Sequence, residues 1–409
     1  MMKFIYHHRT QGRGGEGLHI ASLIRALEAA GHEVTIVSPP GVNPLQTAGA
    51  VPVDKGRTKE RGIHWLWGWV SRHSPQIVFE AFELCYNLYT AVRLLPMLRQ
   101  HAAAVYYERY AFFLFMGVMV AKWYRRPVLL EVNEVVGLKR ARGQVLVALA
   151  RWLERVVFQR ADAIFTVSSL LQQEVLRRGA RTGTVHVMPN AVDPQWFEHN
   201  DCGMQLRQER GLADAIVVGF VGWFDYWDRL DLLVDVVREL RDLYPALQLL
   251  LVGDGPVTPI LHAKIRQHHL ESTVTLTGPV PRTQVPHYID VMDICVLPDS
   301  NSFGSPLVLF EFMARGKAVI APDLLPIRDV VENHVTGLIV QPGDTAALKQ
   351  ALTRLLEDPC LRLQLGQQAR QRVMAHHTWD ANSHCVAAFA HAFVTRHEYT
   401  VNFVVPSNV

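Results

Sequence analysis

Two α/β domains, each a parallel sheet with crossover helices, are the fold predicted for this chain of 409 residues. Length is one ground, because a single hydrophobic core stops growing near about 250–300 residues and two lobes of about 200 are expected. Rhythm is the second: short β-branched or apolar runs alternate with amphipathic segments of helix length. The third is the polar interval PNAVDPQWFEHND, residues 189–201, which divides the rhythm in two and reads as an interdomain link.

The strand candidates of the first half are KFIYHH, EVTIVS, AAVYYE, PVLLEVN, AIFTVS and TVHVMPN. They are short and almost continuously apolar, as strands covered on both faces must be. After the link come AIVVGFVG, LQLLLVGD, TVTLTG, ICVLPD and AVIAPD. No solenoid-length repeat or low-complexity tract interrupts them.

The first strand leads into QGRGGEGLHI, residues 11–20, in which Gly12, Gly14 and Gly17 match the G-x-G-x-x-G spacing of a dinucleotide fold. Such a fold ends its second strand in Asp or Glu for the ribose hydroxyls, whereas EVTIVSPPG ends in Ser38, Pro39 and Pro40. The loop from His7 to Gln11 is also longer than the tight turn requires. Hydride transfer to a nicotinamide is therefore not expected.

The chain opens on MMKFIYHH, without the features of a signal peptide, and a cytoplasmic protein is expected. Its longest uncharged apolar run, Tyr110 to Ala121, falls well short of the roughly 20 residues that span a bilayer. Cys85, Cys202, Cys295, Cys360 and Cys385 lack C-x-x-C spacing, so buried thiols are expected rather than disulfides or zinc. Residues 1–200 hold 24 basic and 15 acidic side chains, a net +9, and residues 201–409 a net −6. One lobe is thus suited to an anionic surface.

The sharpest signal is DSNSFGSPLVLFEFMARGKAVIAPD, residues 299–323, which joins a strand end to a helix starting near Pro306 and then to another strand. Free amides from Ser305 to Leu309 at that helix N-terminus would suit a pyrophosphate. Glu311, one turn further in, would take both hydroxyls of a ribose. Its neighbours are apolar nearly all round the helix, so this carboxylate needs a partner.

At these residues the chain resembles the family 4 (group 1) retaining glycosyltransferases of GT-B fold. The similarity runs over nearly the whole sequence: the Gly-rich loop with His19, AGHEVTIVSPPG, YYERY, EVN, RADAIFTVS, MPNAVD, VGDGP, LTGPVP, the TGLIVQPGD turn and HTWD. The resemblance implies two Rossmann-like domains facing a central cleft. These are an acceptor-binding domain at 1–195, a nucleotide-sugar-binding domain at 196–375 and a C-terminal helix, 376–409, crossing back to the first domain. His376, His377 and Trp379 in that last segment are expected to serve packing.

Carried over by position, the resemblance places the donor against Gly15, Gly222, Arg229, Gly278, Val280, Phe303, Gly304, Ser305, Pro306, Leu307, Val308, Leu309 and Glu311. Gly278 and Val280 would edge the nucleobase and Glu311 would hold the ribose. Arg9, Gly14, Gly17 and His19 would meet the acceptor. Glu108, Arg109 and Asn133, at the ends of adjacent strands, join Glu311 as the catalytic set, with pairing of Arg109 to Glu108 or Glu131 as the structural alternative. The implied chemistry is metal-independent hexosyl transfer with same-face attack, needing no cofactor beyond the nucleotide-sugar co-substrate; the chain contains no D-x-D.

Two departures stand out. Phe303 occupies the place of the first Glu of the family's Glu-x7-Glu motif, and Trp223 and Asp228 occupy the places of an Arg and a Lys that clamp the diphosphate. Arg229, or Arg9, would have to supply that charge. Two readings follow: an active enzyme of cell-envelope or exopolysaccharide synthesis, or a weakened relative acting as a nucleotide- or glycan-binding partner subunit. Tryptophans beside basic residues in HWLWGWVSRH (64–73) and KWYRR (122–126), with the basic KRARG (139–143), point to peripheral contact with the cytoplasmic face of the inner membrane and a glycan or lipid-linked acceptor. Nucleic acid is not an expected partner, as no continuous basic stripe is present.

Overall fold

A computed structural model describes residues 1–47, 75–101, 103–138, 144–198 and 202–402. The chain forms two compact units. One holds the residues up to Met188 together with those from Asp380, and the other runs from Pro189 to Trp379.

The sheet of the first unit contains β1 (Lys3–His7), β2 (Glu33–Val37), β3 (Ala104–Arg109), β4 (Val128–Val132), β5 (Ala163–Thr166) and β6 (Val185–Val187). Its order is β2-β1-β3-β4-β5-β6 and every pairing is parallel. All of β3, β4 and β5 is buried, which explains why these strands read as nearly continuous apolar runs. Within this unit the helix Trp379–Asn402 sets Phe389 edge-on against Phe165, ring centroids 5.5 Å apart.

The second unit has β7 (Ile216–Trp223), β8 (Leu247–Asp254), β9 (Val274–Leu276), β10 (Ile294–Val296), β11 (Ala318–Pro322) and β12 (Leu338–Val340). Their order, β12-β11-β10-β7-β8-β9, is again wholly parallel. β12 lies in the segment TGLIVQPGD, read from sequence as a turn. Only Leu338, Ile339 and Val340 pair with β11, too short an apolar run to separate from a turn.

The expected link is not loose chain. Pro194–Phe197 form a short 3-10 turn with Trp196 buried, and Val192 bridges Thr378 in parallel. No cysteine forms a disulfide, yet only Cys295 is buried; Cys85, Cys202 and Cys360 are exposed residues of helices. His377 and Trp379 pack inside as expected, whereas His376 is exposed. Among the described residues no helix is long and apolar enough to cross a membrane.

Candidate active site

In the second unit, β7, β8 and β9 end on a row of glycines. Gly222 pairs in register with Gly253, and Gly253 bridges Gly278. A Cβ on Gly253 would lie 1.9 Å from the Gly222 carbonyl oxygen, so only bare backbone lets these strand ends approach. The result is a ledge of closely packed backbone at the carboxyl end of a parallel sheet, where such sheets take ligands.

The helix Leu307–Ala314 begins beside β10 with Pro306 as its N-cap. Not all of the expected amides are free. Pro306 has no N–H, Leu309 donates to the Pro306 carbonyl at 3.1 Å, and Phe303 and Gly304 both donate to Asn301 Oδ1. Ser305 is fixed by Asn190, whose backbone amide reaches Ser305 Oγ at 3.1 Å and whose side chain donates to the Ser305 carbonyl at 2.5 Å. Of the amides from Ser305 to Leu309, those of Ser305, Leu307 and Val308 donate to nothing among the described residues.

Glu311 is 4% exposed and its partner is Arg282, which donates to Oε1. The guanidinium lies 4.5 Å from the Trp196 ring centroid, stacked on an indole buried by the 3-10 turn. Arg282, Trp196, Asn190 and Asn301 were not found from sequence, since none stands out locally.

Asp228 is buried at 7% exposure, and its carboxylate accepts the Asp225 amide at 2.9 Å. Burial pushes its carboxyl up to about 7, with Asp225 and Asp299 adding to the rise against the amide bond. Neither proposed replacement cation is uncommitted. Arg229 sits in the left-handed region at φ 50° and bonds Asp231 through Nε at 3.0 Å, while Arg9 bonds Glu83.

In the first unit three predicted residues meet at one that was noted only as a possible partner. Glu131, 1% exposed at the end of β4, takes Arg109 Nη1, Asn133 Nδ2 at 2.6 Å and His19 Nε2 at 2.9 Å. Tyr6 and Tyr107 donate to its other oxygen at 3.3 and 3.1 Å. Burial opposes ionisation, but His19, Arg109 and the hydrogen bonds outweigh it and hold the carboxyl below its usual range. The available signal was a charge in the middle of PVLLEVN, where only a paired group is tolerated.

Glu108 does not join this cluster. It is fully buried, accepts the Tyr106 hydroxyl and lies 3.1 Å from His7 Nδ1, because neighbouring residues of a strand face opposite sides of the sheet. Gly17 is likewise not open to a ligand: a Cβ there would meet the Gly12 carbonyl oxygen at 2.1 Å, so it serves the turn itself. Gly14 and Gly15 are exposed at the start of the first helix. Of the basic segments, 64–73 and 139–143 lie outside the described residues, and in 122–126 Trp123 is 84% exposed.

The family model "Glycosyltransferase Family 4" matches residues 13–196, and "Glycosyl transferases group 1" matches residues 205–372. An alpha-D-kanosaminyltransferase of Streptomyces kanamyceticus is 27% identical over 54% of this chain, which spans 58% of that relative. A glycogen synthase of Mycobacterium tuberculosis is 23% identical over 90% of this chain and 88% of its own length. The structure of HepE from Anabaena, solved in complex with UDP, superposes with a TM-score of 0.69 at 17% identity, covering 96% of this chain and all of that one. Together the two models take in most of the sequence: the chain belongs to the group 1, family 4 glycosyltransferases and has the GT-B fold.

Proposed function

We propose that this protein transfers a hexose from a nucleotide sugar to a glycan or lipid-linked glycan acceptor, with retention and without a metal ion, in cell-envelope or exopolysaccharide synthesis. The observation that supports it most is the helix Leu307–Ala314, with amides at its start and a buried Glu311 one turn on. The Ser305, Leu307 and Val308 amides would take the diphosphate, Glu311 the ribose hydroxyls, and the glycine ledge with Val280 the base. Arg282 then has a defined part, since it donates to Glu311 Oε1 and fixes the orientation of that carboxylate toward the ribose hydroxyls.

In the step itself the anomeric carbon–oxygen bond to the diphosphate breaks while the acceptor oxygen bonds that carbon from the same face. The acceptor proton passes to the departing phosphate oxygen. The protein's contribution is placement and charge stabilisation, with Arg109, His19 and Asn133 fixed around Glu131 on the acceptor side.

A second reading, a nucleotide-binding partner subunit with little activity, is favoured by one observation: Arg229 and Arg9 are both already paired to carboxylates. Scanning fluorimetry with UDP, GDP, ADP, NAD and their sugar derivatives tests the donor site. A rise in Tm with one nucleoside diphosphate, abolished by Glu311→Ala, is expected. A rise with none of them sinks the donor site, and a rise without turnover of any sugar nucleotide leaves the subunit reading. The exposed Trp123 in a basic segment supports peripheral membrane attachment, for which flotation should show preference for anionic over zwitterionic vesicles. Equal flotation with both would remove that proposal.

A further inference from the structure

The loop after β7 presents a surface that neither the donor helix nor the Glu131 cluster uses. Trp223, Tyr226 and Trp227 are 56%, 62% and 41% exposed within five residues of chain. Among the described residues none of them stacks on another aromatic ring or under a cation. A cluster of this kind left in water marks a contact surface.

The backbone beneath is held. Phe224 is fully buried, and a Cβ on Gly255 would lie 2.3 Å from its carbonyl oxygen. Asp228 accepts the Asp225 amide through Oδ2 and donates its own amide to the Asp225 carbonyl at 3.2 Å. The rings are thus presented by a fixed loop, which lowers the ordering cost of binding.

Polar groups between the rings select the occupant. Asp225 uses one carboxylate oxygen for the Tyr226 amide at 2.8 Å, and Asp254, in register with Trp223, uses one for Gly255 and Thr258. The second oxygen of each accepts nothing among the described residues. The loop's cation, Arg229, is taken by Asp231. Carboxylates without a free cation repel phosphate, uronate and anionic lipid, but they accept bonds from hydroxyls. Flat aromatic faces bury the C–H face of a pyranose, and three of them offer more area than one sugar covers.

We propose that Trp223, Tyr226 and Trp227, with Asp225 and Asp254, bind two or more sugar units of a neutral glycan acceptor, an assignment that rests on the glycosyl-transfer reading above. It adds acceptor contacts on the second unit to those expected of Arg9, Gly14 and His19 on the first. The test is an array of neutral gluco-, manno- and galacto-oligosaccharides beside uronic-acid oligosaccharides and phosphatidylglycerol vesicles, probed with the full chain. At least one neutral glycan should retain the protein, and Tyr226→Ala with Trp227→Ala should weaken that retention at least about tenfold. The double variant should keep the nucleotide-induced rise in Tm, showing that it is folded.

Retention of no neutral glycan, equal retention of the double variant, or vesicle binding that the double variant loses would each overturn the assignment. A wild-type chain that fails to respond to nucleotides would instead count against the donor site, so the two failures are separable.

Discussion

Glu131 and Asp228 are both buried carboxyls, at the carboxyl end of β4 and just beyond that of β7, and they end up in opposite states. Glu131 is surrounded by Arg109, His19, Asn133 and two tyrosine hydroxyls and is held ionised. Asp228 has one backbone amide and two neighbouring carboxyls, and is pushed up to about 7. Burial penalises the charge in both places; the partners decide whether it survives. The first unit has built a fixed anion beside its counter-charge, Arg109, whereas the second has left a carboxyl that gains a proton near neutral pH.

The largest effect should come from removing the better-partnered group. Glu131→Gln leaves a buried Arg109 without its counter-charge, which typically costs about 3–5 kcal/mol. Urea unfolding near pH 7 measures it. The sign with pH also follows: a carboxyl held below its unfolded value of 4.5 contributes stability above that pH and loses it as pH falls. The gap between variant and wild type should therefore narrow in acid, and a gap below about 1 kcal/mol at pH 7 would mean the cluster is not paired as described.

Asp228→Asn should act in the other direction. A carboxyl raised from 3.8 to about 7 contributes most below its unfolded value and loses that contribution as pH rises through 7. Asparagine keeps an acceptor for the Asp225 amide and carries no charge to desolvate. A gain on the order of 2 kcal/mol is expected at pH 8, shrinking toward pH 4, read from Tm at the two values. A loss of stability at pH 8 would show that the ionised form is satisfied after all.

How much of this was legible in the sequence depended on the range of the interactions. Strands such as PVLLEVN and LQLLLVGD declare themselves through composition, and the helix start at Pro306 through its flanking Ser and Pro. Both sheets could be foreseen from those local signals. The pairing that settles the sites is not local: Arg282 reaches Glu311 across 29 residues, and Asn190 reaches Ser305 across 115. Motif spacing named Glu311 and His19 but could not name what holds them. Glu108 parts from the cluster for a simpler reason: a place at the end of a strand grouped it with Arg109 and Asn133, yet strand alternation sends Glu108 and Arg109 to opposite faces. β12 escaped because its three residues resemble any hydrophobic turn.

The smallest effect belongs to the pair next to Asp228, and it bears on what replaces the missing cations. Arg229 and Asp231 side chains are 40% and 35% exposed and meet at 3.0 Å, a surface bridge worth about 0–1 kcal/mol. Asp231→Asn should hence leave stability nearly unchanged, within about 1 kcal/mol by urea unfolding. It also releases a guanidinium one residue from a carboxyl that is uncharged below pH 7. If Arg229 is the charge that meets the donor diphosphate, nucleoside diphosphate affinity in the variant should rise a few-fold at low salt, more at pH 6 than at pH 8, and the gain should fade as salt screens it. Unchanged affinity at both pH values would leave the helix amides of Ser305, Leu307 and Val308 as the anion site, and a site lacking cations is one that the protonation of Asp228 would control.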